Sequence, residues 1–184
     1  LSEIDLIKQI TNGDKRAFRE LYDLHSTKVY NTALRYCQDS SDAEEITQDV
    51  FTSIYTNASK FKSESKVSTW IYRITVNTAL NYLKKRKRTT FFSLSDNEYG
   101  KPDFENPGTI LEDQEKNQLL LLALGKLPDS QKTAFILSLI EELPRQEVAD
   151  IMDTSLKAVE SLLQRAKANL RKELEKYYPN RRKL

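Results

Sequence analysis

Apolar residues along this chain recur at steps of three and four, and no stretch alternates apolar and polar positions as a half-buried strand would, so the pattern predicts an all-α protein. In the N-terminal half four helices are expected. The first runs from about Ser2 to Ile10 and stops at Gly13. The second runs from Asp14 to about Gln38, with Phe18, Leu21, Tyr22, Val29, Ala33 and Tyr36 near one face. A third opens on the capping box Ser41-Asp42-Ala43-Glu44 and continues to about Ala58, burying Ala43, Ile46, Val50 and Ile54. The fourth extends from about Val67 to Arg88.

The C-terminal half is also helical. A helix from Glu115 to Leu124 ends at Gly125, with Pro128 just beyond to start the next, over 128–142. Pro144 then opens a short helix to Met152, Asp153-Thr154-Ser155 forms a turn, and a long helix runs from Ser155 to about Tyr177. Two helices joined by a three-residue turn make a helix-turn-helix candidate.

Between the halves the period lapses. From about Thr89 to Glu115 the chain carries Gly100, Pro102, Pro107 and Gly108 among Asp, Asn and Glu, the composition of a linker. Charge follows the same division. Residues 1–92 hold 15 basic and 11 acidic side chains, residues 93–115 hold 1 and 7, and residues 116–184 hold 13 and 9. The expected organisation is therefore two small basic helical domains, 1–92 and 116–184, joined by a flexible acidic linker over 93–115.

Composition narrows the function classes. With 30% charged and 39% hydrophobic residues the chain reads as soluble and globular. The longest apolar run, Leu119 to Leu124, is far short of the roughly 20 residues a membrane-spanning helix needs, so no membrane insertion is expected. A polar N-terminus and a single Cys37 point to a reducing cytoplasm. One His and one Cys disfavour a zinc site of the usual N/S type, and any Ser-His-Asp or Cys-His mechanism would have to use His25. Most enzyme chemistry is thereby disfavoured, and no metal or cofactor is expected.

Three helix faces carry the remaining chemistry. On the fourth helix Trp70, Asn77, Asn81, Lys84 and Arg88 align at steps of seven, four, three and four, aromatic, then amide, then basic. The loop Lys62, Ser63, Glu64, Ser65, Lys66 precedes that face, and the run Lys84 to Arg88, which includes Arg86, ends it. Stacking aromatic, amides and phosphate-binding cations suit an unpaired nucleic-acid strand, although Trp70 taken alone reads first as a core residue and only its alignment with the amides shifts that. On the last helix Leu156, Val159, Leu163, Ala166 and Leu170 form the expected buried stripe. Lys157, Ser161, Gln164 and Arg165 lie opposite it, able to reach base edges and phosphates; a solvated amphipathic helix with a basic tail fits the same pattern. On the third helix Glu45, Gln48, Asp49 and Thr52 face away from the buried positions. That face is a solvated acidic surface, a protein-docking surface, or a Mg²⁺ site shared by Glu45 and Asp49, the last without a second acidic pair at helical spacing in this half to complete it.

The strings DAEEITQDVF (42–51), KFKSESKVSTWIYRITVNTALNYLKKRKR (60–88) and LPDSQKTAFILSLIEELPRQEVADIMDTSLKAVESLLQRAKANLRKEL (127–174) resemble a bacterial RNA polymerase sigma factor of the extracytoplasmic-function type. The likeness spans nearly the whole chain in the family's order, a sigma-two-like bundle before the linker and a sigma-four-like helix-turn-helix after it. It implies a non-enzyme, a factor that directs core polymerase to specific promoters and initiates their opening. By that resemblance Glu45, Gln48 and Asp49 would dock on the clamp coiled coil of the largest polymerase subunit. Lys62, Ser63, Glu64, Ser65 and Lys66 would hold a flipped base of the minus-ten element, with Trp70, Asn77, Asn81, Lys84, Arg86 and Arg88 along the same strand. Ser155, Lys157, Glu160, Ser161, Gln164 and Arg165 would meet the minus-thirty-five element, and the acidic linker would thread the polymerase's nucleic-acid channel. An anti-sigma factor is the further partner implied. Three departures stand out: Glu160 occupies a position where the family often has a basic residue, Leu162 one where Arg often follows Ser161, and Asp153 replaces glycine in the turn.

Overall fold

The computed structural model describes residues 2–92 and 111–177, which fall into two compact units on either side of 93–110. Among the described residues all regular structure is helical, in agreement with the all-α reading.

The first unit is built from α1 (Glu3–Thr11), α2 (Lys15–Cys37), α3 (Ser40–Asn57) and α4 (Val67–Phe92), with one 3₁₀ turn over Ala58–Lys60. Local chemistry sets the boundaries. Ser2 and Asp5 form a reciprocal capping box, each side chain accepting from the other's backbone N–H at 3.2 Å. Gly13 at φ +86° turns the chain where a side chain would be strained, and Asp14 then caps α2 by accepting from the backbone N–H groups of Arg16 and Ala17. At the far end of α2, Gln38 adopts a left-handed conformation with φ 58°.

Asp39 follows at once in extended backbone and caps α3, its Oδ1 accepting from Asp42 N at 2.9 Å. The expected box beginning at Ser41 is therefore corrected: α3 starts earlier, at Ser40. The carboxylate of Asp39 already meets the orphan donor and suits the positive end of the helix dipole. Helix α3 packs on α2 and α4, and α2 packs on α4. Leu21, Ala33, Ala43, Ile46, Val50 and Ile54 are completely buried between them. At about 1.5–3 kcal/mol for each large side chain removed from water, this core holds α2, α3 and α4 in one body. Phe18 and Tyr22, expected with the apolar face of α2, sit at its rim instead. Tyr22 is 37% exposed and meets the Phe51 ring at 4.6 Å, while Phe18 meets Tyr55 at 5.2 Å.

The second unit contains α5 (Leu111–Gly125), α6 (Asp129–Phe135), α7 (Arg145–Ile151) and α8 (Leu156–Glu175). Helix α5 begins four residues before the expected start at Glu115, so the C-terminal end of the expected linker is helical; its remainder, 93–110, lies outside the described residues. The single helix expected over 128–142 is divided. After Phe135 the chain widens into a π-turn over Ile136–Ile140, Glu141 N donating to Ile136 O at 2.9 Å, and it stops at Glu142, whose φ is 54°. Ile136 and Leu137, adjacent in sequence, are both completely buried there. Helix α8 is covered by α5, α6 and α7. Its buried stripe is Val159, Leu163, Ala166 and Leu170. Leu156 is a correction, since it is 41% exposed in the first turn, where the covering helices do not enclose it.

Candidate functional site

The polar and basic stripe expected on α4 forms as its spacing requires. Asn77, Asn81, Lys84 and Arg88 are exposed along one side, and Trp70 at the start of that side is half-buried. The Trp70 ring lies against Phe61, centroids 5.2 Å apart and planes tilted by 46°. Phe61, in the loop before the helix, was not among the sequence candidates. The aromatic neighbour holds the indole at the mouth of the loop, between the core and solvent. In that loop Lys62, Ser63, Glu64 and Lys66 are exposed, Ser65 is half-buried, and Ser63 has φ 57°. The loop closes onto the helix through Trp70 N donating to Lys66 O at 3.2 Å.

Arg86 does not share that stripe. It turns to α3 and forms an ion pair with Asp42. Residues two apart on a helix face different ways, so Lys84 and Arg88 can look away from α3 while Arg86, still half exposed, reaches toward it. One turn earlier Tyr82 looks the same way, its Oη lying 2.9 Å from both Asp42 Oδ1 and Glu45 Oε2. Burial is the first cause pushing the Tyr82 phenol up to about 12, and the hydrogen bond with Glu45 is the second. The structure thus draws three residues of α3 and α4 around Glu45. Glu45, Gln48 and Asp49 themselves are exposed on α3, as their spacing predicts.

His25 is buried. Its Nε2 lies 3.5 Å from Glu3 Oε1, beside a small cavity of about 10 Å³ lined by Lys28, Val29, Ser68, Ile71, Tyr72 and Thr75. Burial lowers its pKa, and Lys28 adds to the lowering while Glu3 opposes it. Cys37 stands twelve residues along the same helix, roughly 18 Å away at 1.5 Å per residue. Burial raises its thiol pKa, so the pair makes no nucleophile and base. No group of three His, Cys, Asp or Glu side chains among the described residues is arranged to hold a metal ion.

In the second unit α7, the turn and α8 form the helix-turn-helix. Asp153 has φ 50°, the left-handed conformation that Asp tolerates better than most residues, and Thr154 N donates to Ala149 O at 3.0 Å to close the turn. Ser155 caps α8 through Oγ, accepting from Ala158 N at 3.2 Å, so part of its hydrogen-bonding capacity serves the fold. Lys157, Glu160, Gln164 and Arg165 are exposed, and Ser161 is half-buried. Glu160 meets Arg145 of α7, Oε1 to NH1 at 3.4 Å, with both side chains about half exposed. That contact offsets the negative charge of Glu160, and the sequence reading did not name Arg145. The basic residues Arg181, Arg182 and Lys183 lie outside the described residues.

Known proteins match along the same division. The model of Sigma-70 region 2 matches residues 21–89, and that of Sigma-70, region 4, matches residues 117–170. The ECF RNA polymerase sigma-E factor of Haemophilus influenzae is 31% identical over 187 residues, covering 95% of this chain and 96% of that protein. The ECF RNA polymerase sigma factor SigW of Bacillus subtilis is 28% identical, covering 91% and 94%. Among solved structures, CnrH in complex with the cytosolic domain of CnrY is similar with a TM-score of 0.69 at 22% identity, over 94% of this chain and 97% of that one. The sigma factor RpoE of Bartonella quintana, in complex with the anti-sigma factor NepR, has a TM-score of 0.72 at 20% identity, over 86% and 96%.

Proposed function

The chain belongs to the ECF RNA polymerase sigma factors, which direct core polymerase to specific promoters and initiate their opening, and from that premise we propose which of its surfaces meets each partner. Helix α3 docks on the clamp coiled coil of the largest polymerase subunit through Glu45, Gln48 and Asp49. Helix α4 and the loop before it take the unpaired minus-ten strand. Lys62, Ser63, Glu64, Ser65 and Lys66 surround a flipped base, Trp70 stacks, Asn77 and Asn81 offer amide hydrogen bonds, and Lys84 and Arg88 take phosphates. Arg86 reaches DNA only by giving up Asp42.

Helix α8 enters the major groove of the minus-thirty-five element. Lys157 and Arg165 meet phosphates there, Ser155 sits at the helix start, and Ser161 and Gln164 read bases. Glu160 accepts from cytosine N4 with its charge balanced by Arg145. The acidic linker occupies the nucleic-acid channel of the polymerase. The protein acts by binding, without a reaction of its own, in the cytoplasm where its DNA lies. No helix among the described residues is long and apolar enough to cross a membrane. An anti-sigma factor that covers its polymerase-binding surfaces is the remaining partner, a reading supported by the similar fold of RpoE held by the anti-sigma factor NepR.

One observation carries this assignment: an acidic exposed face on α3 and an amide-to-basic stripe on α4 belong to the same packed unit. Melting a promoter requires that combination, since the factor must hold the enzyme and the separated strand at once. A free-standing helix-turn-helix regulator would need neither. Electrophoretic shift of promoter duplex with and without core polymerase separates the two. A shift that depends on core polymerase is expected, and tight, specific binding by the chain alone would overturn the assignment.

A further inference from the structure

The side chains beside Glu45 form a chain of contacts rather than a single surface pair. The Tyr82 phenol lies 2.9 Å from one oxygen of Glu45 and 2.9 Å from one oxygen of Asp42, and Arg86 pairs with the other oxygen of Asp42. Resting on the docking role given to α3 above, we propose that Tyr82 is a positioning residue for the polymerase-docking face. It holds the Glu45 carboxylate in place and, through Asp42 and Arg86, ties that face to the helix that meets the promoter.

Proton counting gives the reason. A phenol has one proton to donate and here has two acceptors within reach, so at any moment one carboxylate receives it. The two acceptors differ in what else they have. Asp42, with its side chain only 13% exposed, keeps Arg86 whichever way the phenol points, whereas Glu45 faces solvent. In the free protein the phenol donates to Glu45 and Asp42 rests on Arg86. When a basic group of the polymerase takes Glu45, the phenol turns its proton to Asp42. Docking then leaves the phenol donor satisfied, where an unmet donor would otherwise oppose it. A glutamate left without the phenol would have to be ordered at the moment of docking, at the expense of side-chain freedom.

The sequence distance explains why the device sits on these elements. Tyr82 and Arg86 are one helical turn apart, as Asp42 and Glu45 are, so two adjacent pairs on packed helices meet face to face. The same turn of α4 carries Asn81 and Lys84 on its other sides, so whatever fixes Tyr82 also fixes the rotation of the strand-facing stripe.

The test is a double-mutant cycle on the full chain, titrated with core polymerase. Glu45→Gln and Tyr82→Phe are each expected to weaken binding, the phenylalanine variant by about two- to tenfold, the range for ordering one flexible side chain. The double variant is expected to bind no worse than Glu45→Gln alone, because Tyr82 acts through Glu45. If Tyr82→Phe leaves affinity unchanged while Glu45→Gln weakens it, or if the two losses multiply, the positioning role is wrong and the docking assignment stands. If Glu45→Gln itself changes nothing, docking through Glu45 is wrong and the positioning role goes with it. A second readout needs no change at residue 82. Alkaline titration of tyrosine absorbance is expected to show a phenol ionising near 12 that moves down in Glu45→Gln, and an unmoved phenol would overturn the contact.

Discussion

Glu45 on α3 is met by a phenol thirty-seven residues away, beside an aspartate that is itself paired with an arginine of α4. On α8, by contrast, Gln164 and Arg165 reach solvent with no hydrogen-bond or ion-pair partner among the described residues. The nearest brace on that face is the Arg145–Glu160 contact at 3.4 Å. Under the proposed assignment, the α3 face is set before its partner arrives and the α8 face orders its side chains on contact. The difference follows what each must do. Under the proposed roles, a docking face on α3 that also positions a strand-holding α4 has to be stiff across two helices, whereas a groove-reading face on α8 needs only a straight helix carried on a small core. Substitutions on α3 should therefore propagate into promoter opening, while those on α8 should stay local and additive.

The largest effect that would sharpen this contrast lies under the braced face. Ile54 is completely buried between α3 and its neighbours, and Ile54→Ala should cost about 2–5 kcal/mol of stability in the first unit. Thermal unfolding should show that loss, with polymerase docking and promoter melting falling together. Next comes the docking face itself: reversing Glu45 and Asp49 to Lys should reduce affinity for core polymerase by more than about tenfold, as unlike charges become like ones across an interface. Circular dichroism should remain that of the parent. An unchanged affinity would remove the docking assignment and half of the comparison.

Effects on α8 should be smaller and separable. Gln164→Ala should cost about 1–3 kcal/mol at one base pair of the upstream element and nothing elsewhere, as read by selection from a promoter library. Arg165→Ala should weaken all promoters alike and reduce the slope of log affinity against log salt by about one. The smallest effect belongs to His25, whose pKa burial lowers despite the opposing Glu3, with Lys28 on the same helix adding to the lowering. Because the unfolded chain takes up the proton first, the first unit should be stable above pH 6.5 and lose stability as pH falls through the lower folded value. Chemical denaturation across that range should show the loss, and His25→Gln should flatten it.

Much of this was legible from residue types and spacing. Asp14, Gly13, Gly125, Pro144 and Ser155 mark helix ends by mechanisms that act within a few residues, and the buried positions of α3 and most of α8 follow from period alone. The outward turn of Lys84 and Arg88 was readable too, and the same rule separates Arg86 from them, although a run of five basic residues conceals it. Other features depended on the rest of the fold. Ser41 and Asp39 both offer plausible caps, and the choice was made by where α2 ended. Leu156 continues the apolar stripe in sequence but lies where no helix covers it. Tyr82 meets Asp42 across forty residues, a contact that only the packing of α3 on α4 creates.

The division of labour between the two units is tested most directly by following one promoter through two stages, closed-complex formation and permanganate-detected melting, with core polymerase present throughout. Asn77→Ala and Asn81→Ala on α4 are expected to form closed complexes near normally and to lose reactivity of the unpaired thymines. Gln164→Ala and Arg165→Ala on α8 are expected to lose closed complexes, with melting normal in those that form. Equal losses at both stages for the α4 variants, or a melting defect confined to the α8 variants, would contradict the assignment of the strand-holding role to α4.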